Sequence, residues 1–73
     1  MSDLVIKIEE IVDLFYQQKE HEGYEKLGNL LGELILISRP LFSEKLLMAM
    51  TALENRDVVL LADILNYEIK PML

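Results

Sequence analysis

The spacing of apolar residues constrains the fold most, because it is helical along almost the whole chain. In the first part, apolar residues recur at steps of four, three and four: Leu4, Ile8, Ile11 and Phe15. These steps match the repeat of an α-helix rather than the alternation of a strand. Ser2 or Asp3 supplies a side-chain oxygen that suits an N-cap. The spacing therefore predicts a first helix over about residues 3–18.

A polar stretch then interrupts the apolar pattern. Residues 17–23 contain no large apolar side chain and end in Gly23, so they predict the first turn. Helical spacing resumes beyond it and predicts a second helix over about residues 22–38. Its last part, residues 34–37, is apolar at every position, which predicts burial on more than one side.

Two glycines inside this second helix need a packing reason. Gly28 and Gly32 lie four residues apart and therefore share one helix face. Glycine costs a helix about 0.5–1 kcal/mol relative to alanine. We therefore expect another helix, of the same chain or of a second subunit, to pack closely against this face.

Two further breaks divide the rest of the chain. Pro40 disfavours helix in the preceding residue and suits the first turn of a new helix, predicted over about residues 41–54. The predicted apolar stripe of this helix comprises Leu46, Leu47, Met50 and Leu53. Asp57 is an N-cap candidate for a fourth helix over about residues 58–69. That helix has so few polar residues that one of its sides is expected to be an interface.

These elements predict an all-α fold in a single domain, residues 1–73. The breaks between the helices are short, which favours neighbouring antiparallel helices. We expect a small antiparallel bundle of four helices, or of three if the first two are less separated than the pattern indicates.

The composition predicts a second subunit. Hydrophobic residues make up 52% of only 73 residues, and the chain has no cysteine and one histidine. Chains this short usually need a disulfide, a metal or a partner to be stable. Disulfides and multi-histidine metal sites are excluded by residue type. We therefore expect a homodimer, formed through the second and fourth helices.

The charge is acidic and unevenly distributed. The net charge is −6, and residues 1–33 carry eight acids and three lysines, a net −5. Nucleic acids and anionic membranes attract Lys and Arg, so neither is an expected partner. The sequence shows no secretory leader pattern and no stretch that could span a bilayer, so we expect a cytoplasmic protein.

Few residues are candidates for chemistry. His21 and Glu25 share a helix face, but a metal site needs three or four ligands and there is no second histidine. Glu9 and Asp13 also share a face, and a solvated surface is the simpler interpretation of the pair. We expect no catalytic residue, no metal, no cofactor and no enzymatic activity.

The candidate partner-binding residues lie in the second and fourth helices. Six are aliphatic and are predicted to form an apolar binding surface: Leu34, Ile35, Ile37, Val59, Leu60 and Ile64. Asp63 interrupts the apolar run of the fourth helix, and Tyr67 lies one turn further along. Asp63 is either a rim residue with an ordinary polar partner or a specificity contact in a helix-in-groove interface.

The last third of the chain also carries a family resemblance. Residues 52–71 contain Ala-Leu-Glu, then Asp57, Leu-Leu-Ala-Asp, Tyr-Glu and Pro71. This segment resembles the C-terminal end of small uncharacterised helical proteins of Gram-positive bacteria. The resemblance implies a flagellar or surface-glycosylation context. In size and helix pattern the chain is also similar to flagellar export chaperones.

Two functional hypotheses follow from these observations. The first is a non-catalytic protein-binding accessory factor, or a small chaperone-like protein that offers its apolar helices to a client. The second is a structural or regulatory homo-oligomer, or an antitoxin-like acidic partner that neutralises a basic protein through residues 9–25. An acidic contact weakens with ionic strength whereas an apolar contact does not, so salt distinguishes them.

Overall fold

The computed structural model describes residues 3–37 and 39–73, and it confirms the all-α fold. The described part of the chain contains four α-helices, and the last of them continues as a π-helix and a short 3₁₀ turn. The elements are α1 (Asp3–Tyr16), α2 (Glu20–Leu34), α3 (Pro40–Glu54), α4 (Val58–Asp63), the π-helix (Ile64–Ile69) and the 3₁₀ turn (Lys70–Met72). Ser2, a predicted N-cap, and Ser38 lie outside the described residues, and Asp3 already belongs to α1.

The helices pack as two hairpins around one core. The first hairpin is α1 with α2, and the second is α3 with α4 and the π-helix. Helix α1 also packs against α4 and the π-helix, which joins the hairpins. The core is apolar throughout the described residues and draws on every α-helix: Ile8, Ile11, Val12, Phe15, Leu27, Leu30, Leu34, Phe42, Leu46, Ala49, Ala52, Leu61, Ala62, Ile64, Leu65 and Ile69.

The first turn is tighter than the polar stretch predicted. Helix α1 ends at Tyr16, and Gln18 adopts a left-handed backbone with φ of 63°. Helix α2 begins at Glu20, so the turn comprises residues 17–19 only. The prediction that Gly23 belongs to the turn is wrong, because that glycine lies within α2.

Gly23 is instead the glycine that permits close packing. A Cβ atom there would lie 2.5 Å from Phe15 Cε1, well inside van der Waals contact. Around Gly28 and Gly32, by contrast, nothing lies within 4 Å of a Cβ atom. Close packing against that pair was therefore a wrong prediction within this chain. The polar residues of the first turn allow α2 to fold back on α1. The close contact between Gly23 and Phe15 lies near that turn.

Helix α2 ends earlier than predicted. Its last residue is Leu34, which is fully buried, whereas Ile35 and Leu36 lie in the connection to α3 and are 58% and 82% exposed. The predicted all-round burial of residues 34–37 is wrong. Pro40 disfavours helix in the residue before it, so α2 could not have continued directly into α3.

The predicted roles of Pro40 and Asp57 at the starts of α3 and α4 are confirmed. Pro40 occupies the first turn of α3. Asp57 caps α4, and its Oδ1 accepts a hydrogen bond from the backbone N–H of Leu60 at 3.2 Å. Arg56, just before the cap, has φ of 55° and completes the turn. This three-residue turn makes α3 and α4 neighbours.

The predicted fourth helix changes type at Ile64. A π-helix turns more widely than an α-helix and pairs residues five apart through its backbone. Here the wider turn accompanies the burial of both Ile64 and Ile69, which are five residues apart and only 4% and 0% exposed. Among the described residues, no helix has the length and apolarity needed to cross a membrane.

Candidate functional site

The predicted partner-binding residues divide between surface and core. Five are exposed: Ile35, Val59, Leu60, Asp63 and Tyr67. Ile37 is partly buried against the core. Leu34 and Ile64 are buried core residues, so the prediction that they offer a surface is wrong. Both belong to strongly apolar segments in which helical spacing alone does not separate the inner side from the outer one.

Helix α3 contributes surface residues that the sequence prediction missed. Leu41, Leu47 and Met48 are 65%, 64% and 46% exposed. Leu47 was assigned to the apolar stripe of the helix together with Leu46, but only Leu46 is buried. Part of the missing signal is in the spacing, because Met48 lies seven residues, about two helical turns, beyond Leu41 and therefore on its side of the helix.

These residues define what we call the outer face of the second hairpin. Its six members come from α3, α4 and the π-helix: Leu41, Leu47, Met48, Val59, Leu60 and Tyr67. Helices α3 and α4 are neighbours in the fold. The two α-helices of the first hairpin, by comparison, expose only Ile6 and Tyr16 as large apolar side chains.

The cations of the second hairpin are engaged within the chain. Lys45 Nζ lies 2.7 Å from Glu68 Oε2, and Lys70 Nζ lies 3.7 Å from Glu9 Oε2. The two arginines are also engaged, one near each end of α3. The Arg39 side chain donates a hydrogen bond to the carbonyl oxygen of Met72 at 2.8 Å, and the Arg56 guanidinium lies 4.9 Å from the centre of the Tyr24 ring.

Two carboxylates that are close in sequence to outer-face residues lack such contacts. Glu44 and Asp63 are exposed, and neither forms an ion pair or a side-chain hydrogen bond within the described residues. Glu44 lies three residues from both Leu41 and Leu47. Asp63 lies four residues from Val59 on a continuous helical path. Each carboxylate is therefore next to exposed apolar side chains rather than on the opposite side of its helix.

Two shallow grooves lie beside α1. One, of about 270 Å³, lies between α1 and α2, where Lys7 Nζ contacts Glu33 at 3.1 Å. The other, of about 230 Å³, lies between α1 and the π-helix and contains Glu9 and Lys70. Each groove therefore contains an ion pair, and the first is also lined by Lys26.

The residues considered for chemistry do not converge. The nearest ring nitrogen of His21 lies 3.9 Å from Glu25, and 96% of the histidine side chain is exposed. Asp13 accepts a hydrogen bond from Gln17 at 2.7 Å, whereas Glu9 contacts Lys70. Within residues 3–37 and 39–73, no group of three His, Cys, Asp or Glu side chains could hold a metal ion.

The fold and its surface define a small all-α bundle whose second hairpin exposes more large apolar side chains than the two helices of its first. Comparisons with protein-family models, with curated proteins and with solved structures found no match. The family resemblance of residues 52–71 therefore stays a prediction.

Proposed function

We propose that this chain is a non-catalytic accessory factor that binds another protein through the outer face of its second hairpin. The observation that carries the proposal is the uneven exposure of large apolar side chains. Helices α3 and α4 with the π-helix expose six of them, although the core is already complete beneath. Clustered exposed apolar residues are typical of protein interaction sites.

The size of the chain fits this proposal. A standard protein interface buries about 800 Å² per partner. The whole chain exposes 4689 Å², so such an interface would cover roughly one sixth of its surface. The outer sides of two neighbouring helices can supply that area. An apolar helix laid against them is a familiar mode of recognition.

A second copy of the chain is the competing occupant of this face. The same exposed side chains favour the homodimer predicted from composition. They lie on α3, α4 and the π-helix, whereas the sequence predicted an interface on the second and fourth helices. The flagellar or surface-related role, the chaperone-like activity and the cytoplasmic location are further parts of the proposal. Their support is the resemblance of residues 52–71 and the sequence pattern alone.

A binding assay with a synthetic helix tests the proposal. The probe is a fluorescein-labelled helical peptide with leucines at positions i, i+3, i+4 and i+7 and uncharged glutamines elsewhere. We expect saturable binding with a dissociation constant on the order of tens of micromolar, read by fluorescence anisotropy. The double variant L47S/V59S should lower the affinity by about tenfold, because it removes two apolar contacts.

The first hairpin offers a matched control. The variant I6S/Y16S also removes two exposed apolar side chains, and it should change the affinity less than about twofold because it leaves the outer face intact. Circular dichroism confirms that both variants stay helical. The proposal fails if neither peptide binding nor self-association is detected, or if both variants weaken binding equally.

A further inference from the structure

The start of α2 lacks the side-chain cap that the start of α4 has. Asp57 at the N-cap of α4 accepts a hydrogen bond from the Leu60 N–H, whereas Lys19 at the N-cap of α2 makes no such bond. A lysine side chain has only donors, so it cannot accept a bond from a backbone N–H. The first turn of α2 is closed by the backbone, where the Gly23 N–H donates to the Lys19 carbonyl oxygen at 3.0 Å. An uncapped first turn frays more readily than a capped one.

The second hairpin contacts α2 immediately beyond this closing bond. The guanidinium of Arg56 lies 4.9 Å from the centre of the Tyr24 ring, within the range of a cation–π interaction. The same ring lies 5.4 Å from the ring of Phe15 on α1. The Tyr24 hydroxyl oxygen is buried and has no hydrogen-bond partner within the described residues. The contacts of the ring, rather than a bond of the hydroxyl, therefore hold Tyr24 in place.

Arg56 makes this contact from a backbone conformation that favours glycine. Its φ of 55° is left-handed, a region in which a Cβ atom is crowded. Gln18 has φ of 63° at the corresponding position of the first hairpin's turn. Both residues donate a backbone hydrogen bond of 3.1 Å to the residue three before them, so the two turns are built alike. Arg56→Gly would therefore keep the turn and remove the contact with Tyr24.

We propose that Arg56 and Tyr24 form a clasp through which the second hairpin orders the uncapped first turn of α2. The clasp acts in place of the missing cap, because it holds the residue next to Gly23 against Phe15. Helix α2 packs mainly against α1, so the clasp also couples the start of α2 to the turn between α3 and α4. Displacement of that turn releases Tyr24 and lets the first turn of α2 open. The start of α2 is therefore a local switch that responds to the position of the second hairpin.

Amide hydrogen exchange of the protein alone, followed by NMR, tests the clasp independently of the proposed binding function. R56G removes the guanidinium and leaves a residue that suits the left-handed backbone. We expect the Gly23 and Tyr24 amides to exchange about three- to tenfold faster, because loss of the cation–π contact favours local opening. The Leu30 amide, in the middle of α2, should change less than about twofold, because opening of the first turn does not reach it.

Further variants separate the clasp from the turn geometry. Q18G makes the equivalent change in the first hairpin's turn and leaves the clasp intact, so exchange at Gly23 should change less than about twofold. K19S supplies a hydroxyl acceptor at the N-cap, so K19S/R56G should return exchange to within about twofold of the original chain. Y24F keeps the ring and should keep the protection. In a Y24L background, R56G should change exchange less than about twofold, because the contact is already lost.

Each outcome either supports or overturns the clasp. Faster exchange at Gly23 and Tyr24 in R56G, reversed by K19S, supports it. Unchanged exchange in R56G overturns it. Equal acceleration at Leu30 would mean that Arg56 acts on the stability of the whole fold, and the inference would be wrong. Equal acceleration by Q18G would assign the order of α2 to the geometry of the turns, which also overturns the clasp.

Discussion

The two hairpins share one core but differ in the surfaces that they present. The first hairpin carries most of the acidic charge, since residues 1–33 have a net charge of −5. Its two helices expose only two large apolar side chains, whereas the second hairpin exposes six. Since both hairpins bury their inner sides in the same core, the contrast does not arise from the needs of folding.

The contrast assigns different physical roles to the two halves. Charged residues on the first hairpin keep the chain hydrated and disfavour nonspecific association. Exposed apolar residues on the second hairpin lower the cost of covering that side with another chain. The charges of the first hairpin therefore favour its hydration, while the proposed binding depends on the exposed apolar side chains of the second hairpin.

The largest expected effect tests the boundary between core and surface at the end of α2. Leu34 is fully buried and Ile35 is 58% exposed, although they are adjacent in sequence. Leu34→Ala should destabilise the fold by about 3 kcal/mol, because it leaves a cavity in the core. Ile35→Ala should cost less than about 0.5 kcal/mol. Urea denaturation measures both, and similar losses would contradict the early end of α2.

The next effect concerns the closest helix contact of the first hairpin. Gly23→Ala would place a Cβ atom 2.5 Å from Phe15 Cε1 and should cost about 1–3 kcal/mol through overpacking. Gly28→Ala is the matched control, because its Cβ atom meets open space and alanine favours helix by about 0.5–1 kcal/mol. Thermal unfolding should therefore shift in opposite directions. A stabilising Gly23→Ala would show that α1 and α2 pack differently.

The sequence predicted the helices well because local signals define them. Pro40 and Asp57 act through their own backbone or side chain, so the starts of α3 and α4 could be predicted within a residue. The role of Gly23 could not be predicted, because it depends on Phe15 in another helix. The π-helix at Ile64–Ile69 could not be predicted either, since it depends on how the wider turn fits the core.

The binding surface was harder to predict than the fold. In segments that are apolar at nearly every position, helical spacing does not identify the inner side. This is why Leu34 and Ile64 were assigned to a surface, whereas Leu47 was assigned to the inner stripe of α3. The exposure of Asp63 was easier to predict, because a carboxylate in an apolar run is expected to be exposed or paired.

A smaller effect is expected at the turn that aligns the two helices of the second hairpin. Asp57→Ala removes the side-chain acceptor for the Leu60 N–H and should cost about 1 kcal/mol. Asp57→Ser keeps an acceptor at the N-cap and should restore most of that stability. Chemical denaturation of the three proteins measures the difference. Equal stability of all three would show that the cap does not hold the start of α4.

The smallest effect on stability is expected on the outer face itself, where the contrast between the hairpins is sharpest. Leu47 and Val59 are 64% and 74% exposed, so L47S/V59S removes little buried area. Its free energy of unfolding should change by less than about 1 kcal/mol, even though peptide binding falls by about tenfold. A large loss of stability would mean that these side chains belong to the fold. A small loss together with lost binding would separate the surface that binds from the core that folds.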